Sequence, residues 1–176
     1  MVEAGRQDPR AALAMTVVAL ATVFVDLGTK HLARIQLAQG PRTVVTGLFR
    51  LIYTENPGAS FSMLRDAPAL VRLPLFIGTS IAALAMIAFF ARRLTELGVA
   101  ARVGLALLAG GAIGNLVDRI RHGAVVDFLD VFVSIKGAVR HWPVFNVADV
   151  AICVGVLLLL VLGRKRRASE PSTSLA

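Results

Sequence analysis

Residues 73–91 read LPLFIGTSIAALAMIAFFA, a run of 19 residues without a charged side chain. An α-helix rises about 1.5 Å per residue, so this run is long enough to cross a hydrocarbon layer of about 30 Å. Shorter uncharged runs occupy residues 11–25, 103–117 and 150–163, and they approach spanning length only when the polar residues at their ends are included. The sequence therefore predicts four transmembrane helices, near residues 12–33, 71–91, 101–121 and 145–163.

The composition also indicates an integral membrane protein. Of the 176 residues, 56% are hydrophobic and only 17% are charged, and the mean hydropathy is +0.73. A soluble domain carries about 25% charged residues, so a soluble enzyme is excluded. The net charge of +8 does not indicate a nucleic-acid partner, because the basic residues cluster at the ends of apolar runs. The single cysteine, Cys153, excludes a disulfide framework and is expected to be a small packing residue.

The basic residues orient the chain in the membrane. The two sides carry nearly equal numbers of Lys and Arg, but those assigned to the inner side lie in much shorter segments, including the run 164–167. We therefore predict cytoplasmic tails at residues 1–11 and 164–176, around a membrane domain at 12–163. A cleaved signal peptide is the alternative interpretation of the first helix, because basic residues precede its apolar run.

The two predicted outer loops, at about residues 34–70 and 122–144, have the composition of β-structure. Residues 43–63 contain the turn signal Asn-Pro-Gly at 56–58. Before it stand the β-type residues Val44, Val45, Leu48, Phe49, Leu51, Ile52 and Tyr53. Residues 125–133 are similarly β-branched and aromatic. We therefore expect a small β-structured cap on the outer face.

Polar residues converge at one membrane depth. With an inside start, the first and third helices end, and the fourth begins, on the outer side, where the following residues gather: Asp26, Lys30, Asn115, Asp118, Arg119, Asp127, Asn146 and Asp149. Ionised side chains in a membrane are costly, so they need partners or a function. Asp26 and Lys30 are spaced i, i+4 and are expected to neutralise each other, so a purely structural network of ion pairs is one interpretation. Asp149 argues against it, because no basic residue follows before Arg164.

The available side chains limit the chemistry of this cluster. The three histidines lack metal-ligand spacing, and no GxSxG, phosphate-loop or dinucleotide fingerprint is present, so neither a metal nor a cofactor is expected. The nearness of His122 and His141 in sequence leaves a Ser–His–Asp site open. Asp127 and Asp149 remain, and two such carboxyls can share a proton and activate water, as in aspartic proteases. A proton- or ion-coupled transporter subunit and a structural scaffold are the competing interpretations, although transporter sites usually lie near the bilayer midplane.

Five blocks of sequence carry a family resemblance. In order they are DLGTK at 26–30, ENPGASF at 55–61, GGAIGNLVDR at 110–119, VVDF at 125–128 and FNVAD at 145–149. With these blocks the chain resembles the bacterial lipoprotein signal peptidases, also called signal peptidase II, over about residues 12–163. Ser60 stands where alanine is usual in that family.

The resemblance implies an all-α membrane protein, a four-transmembrane-helix bundle with a small extracytoplasmic β-cradle and a short interfacial helix. It implies an aspartic endopeptidase that cleaves diacylglyceryl-modified prolipoproteins before the lipidated cysteine, at the outer face of the bacterial cytoplasmic membrane. Asp127 and Asp149 would be the catalytic pair, and Asp118 a structural residue. Substrate-binding or supporting residues would be Asn56, Gly58, Gly111, Asn115, Arg119, Asn146, Ala148, Asp26 and Lys30. The expected partners are the lipidated substrates and membrane lipids, with no nucleic acid, no metal and no cofactor, and the enzyme is expected to be monomeric.

Overall fold

A computed structural model describes residues 9–58, 68–93, 98–135 and 138–169, and within them the chain forms four long helices. These are α1 (Pro9–Gln36), α2 (Ala69–Arg93), α3 (Val99–His122) and α4 (Val147–Ser169). The four predicted helices are confirmed as helices; all four continue past their predicted last residues, and α4 begins at Val147 rather than at 145. By length and hydropathy, Pro9–Gln36, Ala69–Ala91 and Val99–His122 are able to cross a membrane, whereas the apolar part of α4, Val147–Val161, is shorter.

Helix α3 is the centre of the bundle. It packs against α1, α2 and α4, whereas α2 contacts only α3 among the described elements. Glycines on α3 permit this close packing: a Cβ added to Gly110 would lie 2.7 Å from the Ala19 carbonyl oxygen of α1, and one added to Gly111 would lie 2.5 Å from the Ala148 carbonyl oxygen of α4. A larger side chain at either position would push the helices apart.

A four-stranded antiparallel sheet occupies the predicted outer loops. Its strands, in spatial order, are β1 (Arg42–Val45), β2 (Phe49–Asn56), β3 (Val125–Ile135) and β4 (Ala138–His141). The β-structure predicted in residues 43–63 and 125–133 is confirmed where the chain is described, and residues 59–63 lie outside the described residues. β4 was not predicted. No short interfacial helix is seen in the described ranges 9–58, 68–93, 98–135 and 138–169.

Two connections place the sheet against the helix ends. Gly123 ends α3 with a left-handed conformation (φ +72°), and its N–H bonds to the Arg119 carbonyl at 3.0 Å. Since glycine adopts this conformation without steric cost, the chain reverses directly into β3. Beyond β4, Phe145 pairs with Leu129 of β3 through backbone hydrogen bonds of 2.8 and 3.1 Å. The start of α4 is therefore tied to the strand that carries Asp127.

Candidate active site

The predicted site residues from three helices and two strands come together at one end of the bundle. The ends of α1 and α3, the start of α4, the end of β2 and the start of β3 meet there. β2 and β3 pair with Asn56 opposite Val125 and Thr54 opposite Asp127. This register brings the Asn56 amide to the Asp127 carboxyl, although the two residues are 71 positions apart in the chain.

Asp127 is a buried carboxyl held by two neutral amides. It is 3% exposed. Asn56 Nδ2 donates to Oδ2 at 3.0 Å, and Asn146 Nδ2 donates to Oδ1 at 2.7 Å. Burial raises the pKa of Asp127 to about 6, helped by the nearby Asp149 charge and opposed by the two amide donors. Asp127 is thus a carboxyl group poised to bind a proton near neutral pH.

Asp149 lies in the first turn of α4 and forms a reciprocal capping arrangement with Asn146. The Asp149 N–H donates to Asn146 Oδ1 at 3.0 Å, and the Asn146 N–H donates to Asp149 Oδ2 at 3.2 Å. Asn115 Nδ2 donates to Asp149 Oδ1 at 2.9 Å. A carboxylate in the first turn of a helix is also favoured by the helix dipole. Asn115 on α3 thus supplies a partner for Asp149 from another helix, and this partner is an amide rather than a cation.

Asn115 and Asn146 connect the two carboxyls. Asn146 Nδ2 lies 2.7 Å from Asp127 Oδ1 and 3.2 Å from Asn115 Oδ1. Asn115 in turn receives a 2.8 Å hydrogen bond from Lys30 Nζ. Both carboxyls are therefore oriented by neutral amide donors.

Beneath this layer lies a buried ionic triad. Lys30 Nζ is 2.8 Å from Asp26 Oδ2 and 3.1 Å from Asp118 Oδ2, and the three residues are only 2%, 0% and 3% exposed. The i, i+4 spacing predicts a pair between Asp26 and Lys30, and this pair is present in the structure. The structure adds that both side chains are buried and that Lys30 is shared with Asp118, so the group is a buried ionic network rather than an exposed pair.

The triad also fastens the backbone of the site. Asp26 Oδ1 accepts the Ala148 N–H at 2.9 Å, and Asp118 Oδ2 accepts the Val126 N–H at 3.1 Å. These two amides directly precede Asp149 and Asp127. The triad therefore sets the position of both aspartates from below.

A cleft of about 990 Å³ opens onto the two aspartates, at the upper end of the usual size for ligand pockets. Its polar wall includes Asn56, Gly58, Asn115, Arg119 and both aspartates, and its apolar wall is formed by residues of three segments: Phe76, Pro143, Val144, Phe145, Val150, Ile152, Cys153 and Val154.

Several predicted site residues support the cleft without lining it. Asp26, Lys30, Gly111, Asn146 and Ala148 lie behind the wall. Ala148 is fully buried, and Gly111 packs against its carbonyl. Their role is to hold the lining residues in place.

Sequence reasoning missed much of the apolar wall. Phe76 lies inside the longest uncharged run, so no local signal separates it from lipid-facing neighbours. The segment 141–145 also lines the cleft, and apart from Phe145 in the block FNVAD the sequence did not single it out. Cys153 was expected to be a packing residue; this is wrong, because it is exposed and lines the cleft.

No metal site is apparent in the part of the chain that the structure describes, where no group of three or more His, Cys, Asp and Glu side chains is arranged to hold an ion.

Two of the histidines contact aspartates. His122 Nδ1 lies 3.7 Å from Asp118 Oδ1, and His141 Nδ1 lies 3.0 Å from Asp130 Oδ1. Asp130 also pairs with Arg50 at 2.6 Å. Burial acts to raise the pKa of Asp130, but hydrogen bonds from His141 and Arg50 outweigh it and lower the pKa below its usual value. The cluster of Arg50, Asp130 and His141 therefore links strands β2, β3 and β4.

The arrangement of helices and sheet matches solved bacterial membrane enzymes. One such structure superposes with a TM-score of 0.76 at 23% sequence identity, covering 93% of this chain and 94% of the other. A second gives a TM-score of 0.71 at 26% identity, covering 84% and 90%. The fold is therefore that of a membrane enzyme, built of helices and a small antiparallel sheet.

Sequence similarity identifies the family. Residues 18–163 match the family Signal peptidase (SPase) II. The lipoprotein signal peptidase of Geobacter sulfurreducens is 45% identical over 88% of this chain and 94% of its own length. That of Vibrio cholerae is 37% identical over 89% and 90%. The chain belongs to the signal peptidase II family and is a multi-pass bacterial membrane protease; the resemblance is confirmed, and the transporter interpretation is not supported.

Proposed function

We propose that this chain removes the signal peptide of diacylglyceryl-modified prolipoproteins, cutting before the lipidated cysteine, and that Asp127 and Asp149 are its catalytic pair. The observation that carries the proposal is that these two carboxyls, from β3 and α4, face one cleft and are oriented by neutral amides. Two carboxyls in one site can divide the roles of acid and base between them. Family membership supplies the substrate class.

The surroundings of the two aspartates divide their roles. Asp149 is half-buried, lies at a helix start and accepts two N–H donors that orient its carboxyl group, so we assign it the role of the base. Asp127 is buried, which favours its protonated form. Asp149 would take a proton from water as that water attacks the scissile carbonyl, and Asp127 would donate its proton to the carbonyl oxygen. Collapse of the tetrahedral intermediate then breaks the C–N bond. The proton held by Asp149 passes to the leaving amine, and Asp127 takes back a hydroxyl proton as the carbonyl re-forms.

The helix arrangement supports lateral entry of a lipid-modified substrate. Among the described elements α2 contacts only α3. The side of α2 that faces away from α3 therefore makes no contact with α4. The cleft reaches between Phe76 of α2 and Val150 and Val154 of α4. The acyl chains can stay in lipid while the peptide bond reaches the aspartates. This geometry suits a substrate that never leaves the membrane.

The membrane arrangement is part of the proposal. All four helices would span the cytoplasmic membrane, with residues 1–11 and 164–176 in the cytoplasm and the membrane domain at 12–163. The sheet would form a cradle at the outer face, so that Asn56 and Asp127 face outward. The enzyme would act as a monomer on membrane-bound substrates.

Cysteine labelling tests this topology. In a Cys153→Ala background, a cysteine introduced at Thr43, which is exposed on β1, should react with a membrane-impermeant maleimide in intact spheroplasts. A cysteine introduced at Ser172 should react only after permeabilisation. Labelling at Thr43→Cys that requires permeabilisation would contradict the orientation, and retained cleavage by Cys153→Ala serves as the control for the fold.

A cleavage assay tests the activity itself. Purified protein in detergent should convert a diacylglyceryl-modified precursor to a shorter product and leave the same precursor intact when its cysteine is unmodified. Detergent dissolves sealed compartments, so a transport activity could not produce this result. Equal processing of both precursors would contradict the proposed substrate class.

The pH dependence of cleavage should report Asp127. As the acid, Asp127 must be protonated, so kcat/KM should fall as pH rises through its pKa of about 6. Asn56→Leu removes an N–H donor that stabilises the carboxylate while it preserves burial. The pKa of Asp127 then rises, and the alkaline limb should move to higher pH. Tyr53→Phe, on the same strand but bonded to Glu55 and Arg34, is the control and should leave the limb in place; a downward shift in Asn56→Leu would contradict the assignment.

A further inference from the structure

Arg119 is a cation on the same cleft wall as the two aspartates, and it forms an ion pair with neither of them. It is half-buried on the cleft wall. Among the described residues its guanidinium donates one hydrogen bond, from Nη1 to the Asn115 carbonyl oxygen at 3.3 Å, and forms no ion pair. A guanidinium carries five N–H donors. Most of its donors are therefore available to a molecule in the cleft.

The side chain that faces this guanidinium is Phe76. Arg119 Cζ lies 5.5 Å from the centre of the Phe76 ring, within the range of a cation–π interaction. Of the described α2 residues, Phe76 is the one on the cleft wall. Because α2 packs only against α3, this contact joins α2 to the catalytic side of the bundle.

An aromatic ring suits this position better than a hydrogen-bonding or acidic side chain would. A hydrogen-bonding partner would occupy the N–H groups of Arg119, and a carboxylate would neutralise its charge. An aromatic ring attracts the cation through its face and leaves the N–H edge of the guanidinium unoccupied.

We propose that Phe76 is a positioning residue, which holds the Arg119 guanidinium edge-on to the cleft so that it donates to the scissile carbonyl oxygen as negative charge develops there. This inference rests on the proposed peptidase function and adds a specific role for α2. Donors aimed at a developing oxyanion stabilise the transition state more than the ground state. Loss of Phe76 should therefore reduce kcat rather than substrate binding.

Three variants separate positioning from packing. Phe76→Leu keeps an apolar side chain but removes the π face. It should lower kcat by about 3- to 30-fold, which corresponds to the loss of one cation–π contact. KM should change by less than about 2-fold. Phe76→Tyr keeps the ring and should restore kcat to within about 2-fold of the parent. Phe90→Leu, an exposed aromatic at the far end of α2, is the matched control and should leave both constants unchanged. Thermal unfolding in detergent identifies any variant that fails to fold, and Phe76→Met then replaces Phe76→Leu.

A double-mutant cycle with Arg119→Gln completes the test. Glutamine is neutral and cannot form a cation–π contact, so Phe76→Leu should have little further effect on kcat in that background. Equal effects in both backgrounds, a raised KM with unchanged kcat, or equal loss in Phe76→Leu and Phe76→Tyr would show a packing role and overturn the inference. These outcomes leave parent activity intact, whereas failure of the proposed function would appear as a parent protein that does not cleave.

Discussion

Replacing either Asp127 or Asp149 with asparagine should lower kcat/KM for a diacylglyceryl-modified precursor by more than about 10⁴-fold. Asparagine is nearly isosteric with aspartic acid, so it fits the same buried space. It can neither accept a proton from water nor deliver one to a carbonyl oxygen. The remaining aspartate then has no proton-transfer partner, so the loss should exceed the 10²–10⁴-fold typical of one general acid or base. Neither variant should recover activity at any pH.

The control for this experiment is Asp130→Asn. Asp130 lies on the same strand as Asp127 and is 1% exposed, but it pairs with Arg50 and His141 and does not line the cleft. We expect Asp130→Asn to retain cleavage within about tenfold of the parent, below the smallest effect typical of a lost acid or base. Membrane insertion and thermal unfolding should be compared for all three variants. A folded Asp149→Asn protein with more than about a tenth of parent activity would exclude the aspartic mechanism.

Lys30→Met should be the most destabilising single substitution at the site. It leaves Asp26 and Asp118 buried without their cation. Removing one partner of a buried ionic network costs about 3–5 kcal/mol, because an uncompensated charge stays in the interior. The free energy of unfolding in mixed detergent should fall by that amount.

A matched surface substitution and a double variant make this result interpretable. Arg121→Met removes an exposed cation from the last turn of α3 and should change stability by less than about 0.5 kcal/mol. Asp26→Asn combined with Lys30→Met should be less destabilised than the sum of the two single variants, because it removes one of the stranded charges. Strict additivity would show that Asp26 and Lys30 do not act as a pair.

The helices and the polar cluster could be predicted because their signals are local. Uncharged runs such as 73–91 identify helices by length alone. Asp149 drew attention because no basic residue follows it before Arg164. Its amide partner Asn115 lies on another helix. Topology then brought the ends of the first and third helices to the start of the fourth. Connection order and membrane depth were enough to gather most of the site.

Burial and the apolar wall could not be predicted, because they depend on how the helices pack. The i, i+4 spacing of Asp26 and Lys30 is the same on a solvated helix and in a buried triad, so the sequence alone does not distinguish the two. Phe76 and Cys153 lie in apolar runs in which lipid-facing and cleft-lining side chains look alike. The distinction arises from α2 packing only on α3, which is a property of the assembled bundle.

The most direct test of the account is a mass measurement of the products formed from one diacylglyceryl-modified precursor. The precursor is incubated in detergent with the purified parent protein and, in parallel, with Asp149→Asn. We expect the parent to release a signal peptide ending at the residue before the lipidated cysteine, together with a protein that begins at that cysteine. Asp149→Asn should release neither product. Cleavage by the parent at any other bond, or the same products from a folded Asp149→Asn protein, would contradict the account.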